Sequence, residues 1–223
     1  MKVELIRFTE EPELVVALAA KLCYSAADID RLKEKVDKEE VGRFIDKLLN
    51  LGHTSPFEHA SFTFGIEGIS RVTSHQLVRH RIASYSQQSQ RYVKLEGFSY
   101  IIPPEISKDE KLKREFEEAM EGLQTLYVRL IENGVSPEDA RYVLPGGCET
   151  KLMVTMNARE LFHFFSLRCC NRAQWEIREM ADLMLERVKG VVPYIFKEAG
   201  PPCIKGSCPE GKMSCGRPRR SLQ

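Results

Sequence analysis

The run Arg79-His80-Arg81-Ile82-Ala83-Ser84-Tyr85-Ser86-Gln87-Gln88-Ser89-Gln90-Arg91 carries three guanidiniums, one imidazole, three serine hydroxyls and three primary amides within thirteen residues. Forked cationic donors beside several neutral hydrogen-bonding groups are what a pocket for an anionic, heteroatom-rich ligand such as a nucleotide requires. The plainer alternative is a solvated loop after a helix whose arginines offset the macrodipole. The density of arginine in so short a segment favours the pocket.

Other reactive residue types carry weaker signals. Cys148 follows two glycines near Arg141, and Cys169 and Cys170 lie beside Arg168; each reads better as an inert thiol than as a nucleophile, because none sits in a polar motif. Ser89 has no glycine-flanked elbow and no base evident nearby, so it reads as a binding residue. His53, His59, His75, His80 and His163 do not have metal-ligand spacing: His75 and His80 are five apart, about 140° around a helix, and so do not share a face. The tail cysteines, Cys203, Cys208 and Cys215, lack CxxC pairing, and no metal site is expected.

Periodicity supplies the elements that must position these groups. Apolar residues from Ile29 to Leu49 follow helical spacing, with Asp28 as a cap and Gly52 as a stop. Phe62, Phe64 and Ile66 alternate as in a half-buried strand, and a helix from about Ser70 leads to the arginine motif, which then falls at the helix end and in the following loop. Leu112 to Ile131 mark a long amphipathic helix closed by Asn133-Gly134, and Ser136-Pro137-Glu138-Asp139 opens another. Thr150–Met156 reads as a strand, after which Asn157 caps a helix through Arg168 whose first-turn amides beside Arg159 could meet a polar ligand. Ile177 to Val188 form a last amphipathic helix. The segment from Gly200 onward, rich in Gly, Pro, Lys and Cys, reads as a mobile extension.

With 223 residues, 43% of them hydrophobic, the chain can build a substantial core, and 33 basic against 32 acidic side chains leave no bulk field for a polyanion. A nucleic-acid partner is therefore not expected. No apolar run reaches membrane-spanning length and the N-terminus has no secretion-signal layout, so the expectation is a cytoplasmic protein with reduced thiols.

Arg79-His80-Arg81, seven intervening residues and Ser89 match the RHR-x7-S signature of the flavin-dependent thymidylate synthases. Four further blocks agree in order: Gly52-His53-Thr54-Ser55-Pro56-Phe57-Glu58-His59; Ser74-His75-Gln76-Leu77-Val78; Ala140-Arg141-Tyr142-Val143-Leu144-Pro145; and Met156-Asn157-Ala158-Arg159-Glu160-Leu161 with Leu167-Arg168 and Ala173-Gln174-Trp175-Glu176-Ile177. The chain resembles that family over roughly residues 1 to 198.

The resemblance implies an α/β (α+β) fold with helices packed on a largely antiparallel central sheet. The family domain would span 1–199, with 200–223 an extension, in a homotetramer whose active sites are shared between subunits. It implies reductive methylation of dUMP to dTMP, with 5,10-methylenetetrahydrofolate as carbon donor, NADPH-reduced FAD as hydride source and no covalent enzyme nucleophile. A Rossmann mode of flavin binding is not expected, because no GxGxxG follows a strand. Carried over by position, Arg168 is the catalytic residue, facing the uracil. Gln76, Leu77, Val78, Arg79, Gln87, Gln88, Ser89, Gln90, Arg91 and Arg141 join it around dUMP. Ser55, Arg79, His80, Arg81, Gln87, Asn157, Ala158, Arg159 and His163 surround FAD. Gln87 stands where relatives often carry glutamate, and Ser55 where threonine is frequent.

Two rivals belong to other classes. A non-catalytic nucleotide-binding regulator would bind dUMP and release no product, and an RNA-binding module would need more stacking aromatics than Tyr85 and Tyr92.

Overall fold

The computed structural model describes residues 1–34, 36, 40–93 and 97–219; positions 220–223 of the expected extension lie outside them. In chain order the elements are β1 (Lys2–Phe8), α1 (Pro12–Leu22), α2 (Ile29–Glu34), α3 (Val41–Asn50), β2 (Ser61–Ser70), α4 (Arg71–Leu77), β3 (Ala83–Gln87), α5 (Pro104–Ser107), α6 (Glu110–Glu132), α7 (Pro137–Ala140), β4 (Glu149–Asn157), α8 (Ala158–Arg168), α9 (Trp175–Val191) and α10 (Pro193–Phe196). The strands form a four-stranded antiparallel sheet in the order β1-β2-β4-β3. Helices and an antiparallel sheet are what the sequence led us to expect.

By packing, the chain divides into two compact units: one of residues 1–2, 66–79 and 86–152, the other of 3–65, 80–85 and 153–223. In the first, Phe98, Met120 and Cys148 are buried, with Tyr100, Phe116, Leu123 and Leu144 packed against them. Here the start of α4 is held firmly. The Ser70 hydroxyl accepts from the Thr73 amide, while the amides of Arg71 and Val72 donate to the carbonyls of Cys148 and Gly146 at 3.0 and 3.1 Å. Gly68, with φ +72°, is a required glycine, since a Cβ there would sit 3.2 Å from the Cα of Met1.

The second unit has an aromatic core. Phe62 packs edge-on to Phe196 at 5.3 Å and Phe57 edge-on to Phe162 at 5.6 Å. Phe57, Phe62, Phe64, Phe164, Phe165 and Phe196 are fully buried. Asn157 caps α8 as its sequence context implied, its Oδ1 accepting from the Glu160 amide at 2.9 Å. Gln174 caps α9 through the amides of Glu176 and Ile177.

Three expectations need correction. Residues 83–87 are a strand, β3, at one end of the sheet order, not a loop after α4. Ser84 and Ser86 face out while Ala83, Tyr85 and Gln87 are half-buried, a period of two that the segment's polarity conceals. The helix opened by Ser136-Pro137 is a single turn, followed by a 3-10 turn at Arg141–Val143. The described part of the tail is not a free extension. The Arg219 guanidinium grips the Asp182 carboxylate with two bonds of 2.7 and 2.9 Å, Arg172 pairs with Glu210, and the Asn171 amide donates to the Arg217 carbonyl at 2.8 Å. Such pairings join residues distant in sequence and leave no local periodicity.

Phe64→Ala should cost about 3–5 kcal/mol of stability, because it empties a fully buried aromatic site in β2. Urea unfolding of the purified variant against wild type measures this.

Candidate functional site

In the second unit three polar side chains form a chain of contacts, two of them almost out of water. His80 is 4% exposed and Glu160 6%. His80 Nδ1 is 3.1 Å from Glu160 Oε1, and Arg168 Nε donates to His80 Nε2 at 3.1 Å. A guanidinium has only donors, so Nε2 must present its lone pair and the ring proton must reside on Nδ1, donating to the carboxylate. The local electrostatics agree. Burial, then the charge of Arg168, then His163 push the His80 pKa from 6.5 down to about 4. The His80–Glu160 contact has ion-pair distance, yet it is a hydrogen bond from a neutral imidazole. The Tyr85 hydroxyl, donating to the His80 carbonyl at 2.8 Å, fixes the backbone of the same residue.

Arg168 closes α8, half-buried, with its pKa lowered by burial. With Nε committed to His80, its terminal nitrogens are what it can offer a ligand. The His80 ring has no free nitrogen left, so it reaches a flavin only through backbone or through what it does to Arg168. The start of α8 likewise offers less than its sequence suggested, since the Ala158 amide donates to the Ala60 carbonyl at 2.8 Å and the Glu160 amide to its cap. Arg159 is half-exposed and ion-paired with Glu58; Ser55, Arg81 and His163 are exposed, the His163 ring 5.7 Å from that of His80. These cationic and neutral donors suit a diphosphate-bearing, heteroatom-rich group such as FAD by their chemistry.

The first unit holds the other predicted residues, Gln76 through Arg79, Gln87 through Arg91, and Arg141. Leu77 is fully buried, so only its backbone is available to a ligand. Gln87 points inward. Its amide nitrogen donates to Ser74 Oγ at 2.9 Å and Thr150 Oγ1 at 3.1 Å, while the Ser74 hydroxyl donates to the Arg71 carbonyl at 3.0 Å. Ser74 has one proton and has spent it on Arg71, so residue 87 must bring the donor. Glutamine therefore fits these partners better than glutamate. Gln90 reaches the Cys148 sulfur at 3.8 Å, and the Arg91 amide donates to Ser89 Oγ at 3.1 Å. Arg91 pairs with the Glu138 carboxylate at 3.0 Å, and Arg141 Nε donates to the Glu138 carbonyl at 3.0 Å, so one glutamate gathers two arginines.

Arg71 was not among the sequence candidates. Its Nη2 donates to the Gln88 carbonyl at 3.3 Å, its buried Nε has no hydrogen-bond partner, and among the described residues it forms no ion pair. Burial lowers its pKa, with Arg141 adding repulsion against the pull of Cys148. One signal pointed to it: a cation in the first turn of α4 opposes the helix dipole, a placement without a folding rationale. The thiols behave as the sequence suggested. Burial raises Cys148, and Cys169 still further, away from the thiolate a nucleophile needs.

A family model described as thymidylate synthase complementing protein matches residues 4–194. Among relatives, the flavin-dependent thymidylate synthase of Geobacter sulfurreducens is 59% identical over 97% of this chain and 94% of its own length. That of Clostridium tetani is 53% identical over the same shares. This chain belongs to the flavin-dependent thymidylate synthase family. The similarity extends to archaeal members, the Pyrococcus horikoshii enzyme being 47% identical over 96% of this chain and 91% of its own length. For a flavin-dependent thymidylate synthase, the Glu160-His80-Arg168 chain and the arginines around Glu138 are the chemically distinctive features.

Two outcomes follow. Gln87→Glu should lower stability by about 1 kcal/mol, seen as a lower thermal midpoint, because a carboxylate faces a hydroxyl whose proton is committed. His80 has a folded pKa below its unfolded value, so its contribution is intact above pH 6.5 and is lost as pH falls from 6.5 to about 4. Glu160, raised by burial, acts with the opposite sign. Denaturation at stepped pH should therefore show a steeper fall in this window for wild type than for His80→Gln.

Proposed function

We propose that this chain methylates dUMP to dTMP, taking the carbon from methylenetetrahydrofolate and the hydride from FAD reduced by NADPH. The observation that carries the reading is Arg168 held by a neutral, tautomer-locked His80. A guanidinium fixed in this way keeps its terminal N–H groups preorganised for negative charge that develops on a bound ring, with no reorganisation at the moment of reaction.

The flavin, when bound, supplies the reducing chemistry that side chains cannot. The chain's own residues bind, orient and polarise. Arg168 faces the uracil and stabilises charge at its N3 side. Arg79, Arg91 and Arg141 hold the dUMP phosphate, which competes with Glu138 for the last two, while Gln76, Ser89 and Gln90, with Leu77, Val78 and Gln88, complete the nucleotide site. Gln87 bears on both ligands, chiefly by ordering Ser74 and Thr150. Ser55, Arg81, Arg159 and His163, with Asn157 and Ala158 at the helix start, and with Arg79 and His80, would hold FAD. The raised Cys148 and Cys169 thiols support a route without covalent attack by the enzyme. The same reading makes the protein a cytoplasmic homotetramer with shared active sites. Ile82, Tyr92 and Tyr142, 68%, 79% and 84% exposed, are the apolar surface such an assembly would cover.

Purified protein should carry FAD and, mixed anaerobically with NADPH, dUMP and methylenetetrahydrofolate, should release dTMP; flavin-loaded protein that makes none would refute the assignment. Arg168→Ala should keep its fold and flavin while losing turnover about 100- to 1000-fold. Light scattering should give four times the 25.6 kDa chain mass.

A further inference from the structure

Three cations converge over an apolar pocket that none of the residues assigned to dUMP or FAD lines. Between α1 and α3 the second unit holds a half-open pocket of about 340 Å³, within the size range of small-ligand sites. Val36, Val41 and Phe44 give it an apolar lining, and Lys21, Arg43 and Lys47 stand around it. Glu40 is the one acidic side chain among the described lining residues, and it pairs with Arg43 at 2.9 Å. The Lys21 ammonium lies 5.6 Å from the centre of the half-buried Phe44 ring.

Folding does not ask for this grouping. Lys21 and Lys47 each sit in the last turn of their helix, where the macrodipole favours a cation. That does not account for Arg43, four residues before Lys47 on the same face of α3, a spacing at which like charges repel. Nor does it account for Lys21 reaching the same pocket from α1.

The backbone ties the pocket to the flavin-side residues. The Tyr24 amide donates to the Lys21 carbonyl at 3.2 Å, and the Leu51 amide to the Lys47 carbonyl at 3.1 Å. Just beyond these two lysines the Tyr24 and His53 rings stack at 6.3 Å, with the Tyr24 hydroxyl 3.5 Å from His53 Nδ1. His53 shortly precedes Ser55, one of the groups assigned to FAD. A ligand with one end against the flavin and the other in this pocket would pass over that pair.

Methylenetetrahydrofolate has the chemistry of such a ligand. Its pterin end carries the carbon to the nucleotide, while its other end is a p-aminobenzoyl ring joined to glutamate, whose carboxylates are ionised at neutral pH. The ring suits the Phe44 surface, and the carboxylates suit the ammoniums and guanidinium around it. Given the thymidylate reading, we propose that the pocket between α1 and α3 receives the p-aminobenzoyl-glutamate end of the folate co-substrate. Lys21, Arg43 and Lys47 then select folates by the charge of their tails, and each further γ-linked glutamate adds carboxylate for them to hold.

Calorimetric titration of the full chain with p-aminobenzoyl-tri-γ-glutamate should show binding that weakens as salt rises. Lys21→Gln, Arg43→Gln and Lys47→Gln should each weaken it about 3- to 5-fold, and Lys111→Gln, on α6, should not. In wild type, p-aminobenzamide, which has the ring without the carboxylates, should bind about 10-fold more weakly, a comparison that needs no variant to fold. In turnover the three pocket variants should raise KM for triglutamyl methylenetetrahydrofolate several-fold, with kcat and the KM for dUMP at wild-type values. A triglutamate probe that fails to bind, or that binds the three variants as tightly as wild type, would overturn the proposal. Charge-dependent binding of the probe by a protein that forms no dTMP would leave the site standing and refute the thymidylate reading instead.

Discussion

The contact between Arg168 and His80 sets the terms for the second unit. A half-buried guanidinium beside a buried imidazole is tolerable only if the ring stays neutral and shows it a lone pair. That demand fixes the tautomer, which in turn requires an acceptor at Nδ1, and Glu160 provides it from the first turn of the same helix that ends in Arg168. One helix thus carries both ends of the chain of contacts and a buried histidine joins them. Asn157 belongs to the same logic, because the cap that starts α8 also orders the backbone of Glu160.

The first unit solves a related problem by different means. Two of its arginines are gathered by Glu138, Arg91 through the exposed carboxylate, a pairing of modest worth, and Arg141 through the backbone carbonyl. Its amides are ordered by hydroxyls: Ser74, Gln87 and Thr150 form a small network in which a single proton assignment, Ser74 to Arg71, decides which side chain position 87 can carry. Glutamine there is therefore a change of donor and acceptor roles and not a neutral replacement for glutamate.

Much of this was legible in the sequence. The helix start at about Ser70, the cap Asn157, the long helix ending at Asn133-Gly134, and the alternation of Phe62, Phe64 and Ile66 all depend on neighbours within a few residues, and each signals its element locally. The arginine run and its spacing to Ser89 marked the chemistry. What escaped depends on partners far away. Glu160 is eighty positions from His80, so nothing in either segment announces their bond. The strand at Ala83–Gln87 escaped because an outer strand of serines and glutamine has the composition of a loop, and the tail because it is held by paired charges and not by an apolar stripe.

Arg71 has a wider consequence. A guanidinium that leaves water without gaining a carboxylate raises the energy of the ligand-free fold, and its unsatisfied Nε localises that cost beside Gln88. An anion settling there relieves the cost, so folding and loading become thermodynamically linked. Were an anionic ligand to reach Arg71, occupancy would add to the stability of the fold, and its scarcity would be felt as fragility of the protein itself.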